Sequence, residues 1–144
     1  MGQWTELATP AGIVSAWQAD PAGTPRGGLV VIQEIFGVNP HIRAVADGYA
    51  AEGYAVLAPA FFDPVERAVE LGYDEGGFAR GRALVQALGT ARALQVVEAA
   101  AARLRAHLAA FQGAAAVGTV GYCWGGSIAL LAALRLGLPS VSYY

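Results

Sequence analysis

The sequence contains no lysine, a single cysteine and few charged residues. Its nine basic residues are all arginines, which excludes a P-loop and a lysine Schiff base, because both require a lysine. One thiol cannot form an internal disulfide, which argues against a disulfide-stapled secreted domain. The two histidines and the cysteine are too far apart in sequence for a zinc site, so we expect no metal and no cofactor.

Other absences bear on localisation and partners. The N-terminus has neither a basic start nor an apolar run, and the apolar stretches are too short to span a membrane. The net charge is −2 and the arginines are scattered, which argues against nucleic-acid binding. We therefore expect a cytoplasmic protein that binds neither membranes nor nucleic acid.

The composition that is present indicates one α/β domain over residues 1–144. Hydrophobic residues make up 56% of the chain and charged residues 14%, enough for a substantial core. Apolar β-branched runs alternate with helical patterns, which predicts a mostly parallel sheet with helices on both faces. The predicted strands cover 12–17 (an edge-type strand), 28–33, 54–59, 114–120 and 140–144. The first predicted helix runs from Pro40 to about Gly53, and the second from near Gly77 to Leu88. The third runs from Thr90 to about Gly113, and the fourth from Ser127 to about Gly137.

The cysteine lies in the most informative segment, Gly121-Tyr122-Cys123-Trp124-Gly125-Gly126. A buried strand is predicted before it and a helix after it, which places Cys123 on the turn of a nucleophile elbow, with a thiol in place of the usual hydroxyl. At a helix N-terminus the free N–H groups and the dipole favour a thiolate and a developing oxyanion. A lone cysteine is otherwise most often a small buried hydrophobe.

A second segment, Gln33-Glu34-Ile35-Phe36-Gly37-Val38-Asn39, narrows the interpretation. Together with the elbow, in this order and spacing, it closely resembles the dienelactone hydrolase family of α/β-hydrolases. The resemblance covers essentially the whole chain. It implies an α/β-hydrolase fold and a hydrolase that acts on lactones or esters of small acids through a Cys-His-Asp triad.

The resemblance also implies roles for individual residues. Cys123 matches the nucleophile, and Glu34 matches a glutamate beside the thiol that helps to control its protonation. The backbone N–H groups of Ile35 and Trp124 match the two oxyanion donors. The alternative for Glu34 is a loop carboxylate that caps the helix beginning at Pro40.

Substrate-binding residues are less sharply indicated. The family holds a substrate carboxylate with an arginine before its long helix, which makes Arg80 and Arg82 candidates; a solvated surface arginine is the alternative for either. Tyr144 resembles a tyrosine near the pocket, although it could also cover the sheet edge. Phe36 is a candidate for the pocket wall or for core packing.

The chain departs from the family pattern after the nucleophile. An α/β-hydrolase places its acid and its histidine after the nucleophile, yet none of the 21 residues after Cys123 is Asp, Glu or His. His41 and His107 both precede it. We therefore expect a fold whose C-terminal part is missing, so that the 144 residues alone lack the triad Asp and His.

Three functions stay open from the sequence. The first is a cysteine hydrolase that forms an acyl-enzyme with a small-molecule ester or lactone. The second is a non-catalytic α/β binding or interaction module on a hydrolase frame. Redox sensing by Cys123 is a weaker third, because no resolving cysteine exists. The sequence does not reveal the oligomeric state of a whole protein, but an unpaired last strand leads us to expect that the 144-residue chain self-associates.

Overall fold

The computed structural model describes residues 1–111 and 116–144. Within them a sheet with strand order β1-β2-β4-β3-β5-β6 is flanked by helices. The elements are β1 (Gln3–Thr9), β2 (Gly12–Ala19), β3 (Gly28–Ile32), α1 (Pro40–Ala51), β4 (Ala55–Pro59), α2 (Glu75–Leu108), β5 (Val117–Tyr122), α3 (Trp124–Leu136) and β6 (Ser140–Tyr143).

The sheet is parallel through its middle and antiparallel at one side. β3 pairs in parallel with β4 and β5, and β5 pairs in parallel with β6. β1 and β2 form an antiparallel hairpin, and β2 also runs antiparallel to β4. Because parallel strands end at the same side, the residues that follow β3 and β5 meet at one edge of the sheet, where ligands bind in open α/β sheets.

The prediction that β2 is an edge strand was wrong. It lies between β1 and β4, because β1, which the sequence pattern did not reveal, covers its outer side. Only Leu7 of β1 is buried, so that strand carries almost none of the apolar alternation by which a strand is recognised. Its place in the sheet comes from its register with β2, in which Leu7 lies opposite Val14.

Helices cover both faces of the sheet, as predicted. In β3, Val30 and Ile32 face the core under α2 and α3, while Val31 faces the core under α1. Burial on both faces explains why this strand is continuously apolar. β4 alternates in the same way.

The predicted helix boundaries hold in most places. Asn39 caps α1, with Pro40 in the first turn, and Gly53 follows the helix with a φ of 104°. α2 is interrupted at Gly89 (φ 77°, ψ 157°), between the two helices predicted there. α3 begins at Trp124, three residues before the predicted start, and ends at Gly137 in the left-handed region.

The predicted apolar stripe of the second half of α2 is buried: Leu94, Val97, Ala101, Leu104 and Leu108. Phe111 lies beyond the end of α2 and packs partly buried against the same core. The predicted helix end at Gly113 and the start of the fifth strand at residue 114 lie outside the described residues. In the part of the chain that the structure describes, no helix has the length and apolar character needed to cross a bilayer.

Candidate active site

Cys123 sits on a strained turn between β5 and α3. Its backbone angles, φ 57° and ψ −120°, lie in a region that residues other than glycine rarely adopt. The turn is held on both sides: Cys123 N–H donates to the Tyr143 carbonyl at 2.9 Å, and its own carbonyl accepts from Gly126 N–H at 2.8 Å. Strain of this kind is typical of functional positions, where the surrounding structure enforces it.

Two glycines make this turn sterically possible. A Cβ on Gly121 would collide with the carbonyl of Gly125, and a Cβ on Gly125 would collide with the carbonyl oxygens of Ile32 and Gln33. The start of α3 therefore packs directly against the end of β3. This close approach brings Cys123 beside the loop that carries the second sequence segment.

The thiol lies in a cleft of about 440 Å³ at the carboxyl ends of β3 and β5. Its lining is mostly apolar and comes from Ile35, Phe78, Arg82, Val85, Gln86, Cys123, Trp124, Ser127 and Tyr144. Among these described residues Arg82 is the only basic one. The cleft is thus suited to a small, largely apolar ligand that carries negative charge.

Two backbone N–H groups at this cleft have no protein acceptor among the described residues. They belong to Ile35, in the loop after β3, and to Trp124, directly after Cys123. Gly81 allows α2 to approach Ile35, since a Cβ there would collide with the Ile35 carbonyl. The Trp124 ring packs against Phe61 and Phe62, with ring centroids 5.9 and 5.7 Å away. Both donors are therefore anchored by packing.

Glu34 lies behind this cleft and is 7% exposed. One carboxylate oxygen accepts from Tyr73 at 2.9 Å, and the other accepts from Tyr144 at 3.0 Å. Its side chain makes no hydrogen bond to α1, which Asn39 caps, so the capping alternative was wrong. Among the described residues no hydrogen bond joins Glu34 to Cys123; Tyr144 contacts the carboxylate and also lines the Cys123 cleft.

Two largely exposed tyrosines reach Glu34 with their hydroxyl groups: Tyr73 is 61% exposed and Tyr144 79% exposed. Loss of hydration at the hydroxyl raises the pKa of Tyr144, and its hydrogen bond to the Glu34 carboxylate raises it further, with a smaller contribution from Cys123. Loss of hydration also raises the pKa of Tyr73, against an opposing hydrogen bond from Asn39. Both shifts favour the protonated phenol, which is the form that donates to the carboxylate.

The two candidate arginines occupy different environments. Arg82 lines the Cys123 cleft, with its guanidinium 5.8 Å from the centre of the Phe78 ring. Arg80 instead forms a surface ion pair with Glu66 and does not line the cleft. Phe36 is half-buried against Tyr73 and, with Phe78, borders a neighbouring cleft of about 310 Å³.

Several lining residues were not identified from the sequence. Phe78, Val85 and Gln86 lie with Arg82 on one face of α2, at helical spacing. That periodicity was visible, but nothing in it indicates which face of a helix meets a cleft. Tyr73 was missed because an isolated loop tyrosine carries no local signal.

Neither histidine approaches Cys123. His107 pairs with Asp20, with Nε2 3.3 Å from Oδ1, at the opposite end of the sheet. His41 is exposed on α1. Among the described residues no three metal-ligating side chains cluster, and no imidazole lines the Cys123 cleft.

Comparisons with known proteins show the family to which the chain belongs. The sequence pattern of the family described as "Dienelactone hydrolase family" matches residues 14–144. A relative from Synechocystis sp. is 40% identical over 113 residues, which are 78% of this chain and 44% of that protein. Carboxymethylenebutenolidase from Pseudomonas putida is 34% identical over 126 residues, 86% of this chain and 52% of that protein.

The fold comparison gives the same result. The crystal structure of a Klebsiella pneumoniae protein superposes with a TM-score of 0.75 at 28% identity, covering 94% of this chain and 55% of that one. The chain spans about half the length of the curated relatives that it matches.

Proposed function

Since the chain belongs to the dienelactone hydrolase family, we propose that it carries the nucleophile and the oxyanion hole of a hydrolase that opens lactones or esters of small acids. The observation that supports this most directly is one cleft lined both by Cys123 and by two residues whose backbone N–H groups have no protein acceptor in the described part of the chain. An acyl-transfer site needs a nucleophile and such donors within reach of the same carbonyl group.

The proposed chemistry begins at the thiol. The thiolate of Cys123 attacks the carbonyl carbon, and the carbonyl electron pair moves to oxygen, which the N–H groups of Ile35 and Trp124 stabilise. Collapse of this intermediate breaks the C–O bond, and the leaving oxygen takes up a proton. Water then cleaves the thioester, which releases the acid and restores the thiol.

Among the described residues, no histidine, aspartate or glutamate lines the cleft to act as the acid or the base of this cycle. Neither His41 nor His107 lines it, and the matched relatives are about twice as long as the matched region. We propose that these two groups come from residues outside the 144. Without a positioned base, acyl transfer loses orders of magnitude in rate, so this chain alone should become acylated but not turn over.

The cleft also supports a proposal about the substrate class. The name of the Pseudomonas putida relative specifies a butenolide with a carboxymethylene group, which is an unsaturated lactone that carries a carboxylate. In this chain a mostly apolar cleft with Arg82 at its wall suits such a molecule. We propose that Arg82 binds the carboxylate, with Tyr144 and Phe36 near the ring.

The test is stoichiometric acylation of the 144-residue chain. We expect p-nitrophenyl acetate to release about one equivalent of p-nitrophenol in a burst, and intact-mass and peptide analysis to place the acetyl group on Cys123. Cys123→Ala should abolish both the burst and the adduct, and Cys123→Ser should leave a small remnant. A thiol that resists acylation and alkylation in the folded chain would contradict the proposal and favour a non-catalytic binding module.

A further inference from the structure

Glu34 is the end of a chain of hydrogen bonds that begins at the N-cap of α1. Asn39 is 4% exposed, and its Oδ1 accepts from Ile42 N–H at 3.0 Å, which is its capping bond. Its Nδ2 donates to the Tyr73 hydroxyl oxygen at 2.9 Å. Tyr73 in turn donates to Glu34 Oε1 at 2.9 Å.

The helix cap determines which group donates in each hydrogen bond of this series. Because Oδ1 of Asn39 must accept from the helix, the amide can present only its NH₂ group to Tyr73. The Tyr73 oxygen therefore accepts from Asn39, and its single hydroxyl proton is directed to Glu34. Glu34 must accept at Oε1, and with Tyr144 donating to Oε2 both carboxylate oxygens are engaged.

We propose that Tyr73, oriented by Asn39, is a positioning residue that holds the Glu34 carboxylate and thereby sets the charge felt by Cys123. The inference rests on the proposed function, because it gives a role to Tyr73 only where the state of Cys123 matters. Asn39 then has two roles: its side-chain oxygen caps α1, and its side-chain NH₂ group orients Tyr73.

A ring contact restrains Tyr73, although the residue is 61% exposed. The Tyr73 ring lies 4.5 Å from the Phe36 ring, in the loop that follows Glu34. Partial loss of hydration at the hydroxyl group raises the pKa of Tyr73, which favours the donating form. The titratable and charged groups that bear on this carboxylate are Tyr73 and Tyr144, and Cys123 and Arg82 share the cleft with Tyr144.

The test is the pH profile of Cys123 alkylation by iodoacetamide in the 144-residue chain. Tyr73→Phe keeps the ring contact and removes the donor, so the carboxylate exerts more of its charge on the thiolate. We expect the midpoint of the profile to move upward by about half a pH unit, which slows alkylation about threefold on its rising limb. Glu34→Gln should move the midpoint in the opposite direction.

A second variant and a double-mutant cycle separate positioning from folding. Asn39→Ser retains an N-cap acceptor without the amide donor and should shift the midpoint in the same direction as Tyr73→Phe, by less. In the Glu34→Gln background both shifts should disappear, because Tyr73 acts through Glu34. Tyr54→Phe removes a hydroxyl group just before β4, at the opposite end of the sheet, where the ring contacts Arg26, and should leave the profile unchanged.

The outcomes discriminate between the two proposals. If Glu34→Gln shifts the profile and Tyr73→Phe does not, this inference fails and the coupling of Glu34 to the thiol survives. If Glu34→Gln has no effect, that coupling itself is wrong. A Tyr73→Phe shift that persists in the Glu34→Gln background would also overturn the inference, because Tyr73 would then act directly.

Discussion

Because the backbone is strained at Cys123, we predict that glycine gives a more stable protein than alanine at this position, the reverse of the usual order in a helix. Its φ of 57° and ψ of −120° suit glycine, whereas a side chain there costs ~1–3 kcal/mol. Glycine has its own penalty of ~0.5–1 kcal/mol, because it loses more backbone freedom on folding. We therefore expect Cys123→Gly to be more stable than Cys123→Ala by ~1 kcal/mol, the difference between the two effects.

The comparison of two variants isolates the strain. Both remove the thiol, and both retain the backbone bonds of Cys123 to Tyr143 and Gly126. Equilibrium unfolding in urea, followed by far-UV circular dichroism, gives the free energy of unfolding for each variant. Ser127, an exposed position in the first turn of α3, provides the matched control.

At Ser127 the ordinary helix preference should hold, with Ser127→Ala more stable than Ser127→Gly by ~1 kcal/mol. The sign at Cys123 should be the reverse of the sign at Ser127. If alanine is favoured by the same margin at both positions, the turn is not strained and the reasoning is refuted. A reversed sign would mean that the chain gives up stability to hold the thiol in the cleft.

Two further predictions concern charge. Arg82→Gln should slow alkylation of Cys123 by anionic iodoacetate several-fold more than alkylation by neutral iodoacetamide, because the guanidinium lines the cleft; Arg80→Gln should affect neither, and equal effects of the two arginines would contradict this placement. Burial, and then its hydrogen bond with Tyr49, raises the pKa of Tyr122, so the folded chain binds its proton more tightly than the unfolded chain. That stability is fully present below about pH 10 and is lost as the pH rises above it. Tyr122→Phe should flatten the alkaline fall of unfolding free energy, and an unchanged slope would exclude this cause.

Much of the fold could be read from local patterns. The β-branched run of β3 and the Asn39-Pro40 helix start each carry a physical requirement that few other structures meet. The turn that carries Cys123 also meets such a requirement, because a Cβ on Gly121 or Gly125 would collide with neighbouring backbone atoms. These requirements act between near neighbours in the chain, so the sequence alone displays them.

The parts that could not be read depend on contacts between distant residues. β1 has one buried side chain and exists because it pairs with β2. Arg80 and Arg82 are equivalent in sequence, and only the rotation of α2 places one in the cleft and the other against Glu66. Tyr73 and Glu34 are 39 residues apart, and no local rule links them.

The sequence by itself determined the α/β class and the glycine-rich turn that carries Cys123 between a strand and a helix, and it singled out the segment that contains Glu34 and Ile35. The class and the turn are encoded by hydrophobic periodicity and short-range sterics, whereas the segment at 33–39 was recognised from its resemblance to a family. The tertiary structure decided which described groups share this edge of the sheet with the thiol: two N–H groups without a protein acceptor among the described residues, Arg82, and, behind the cleft, a carboxylate that accepts from two phenols. Those groups come from the loops after β3 and before α2, from α2 and α3, and from the residue after β6, and only the packing of the sheet edge against the helices brings them together.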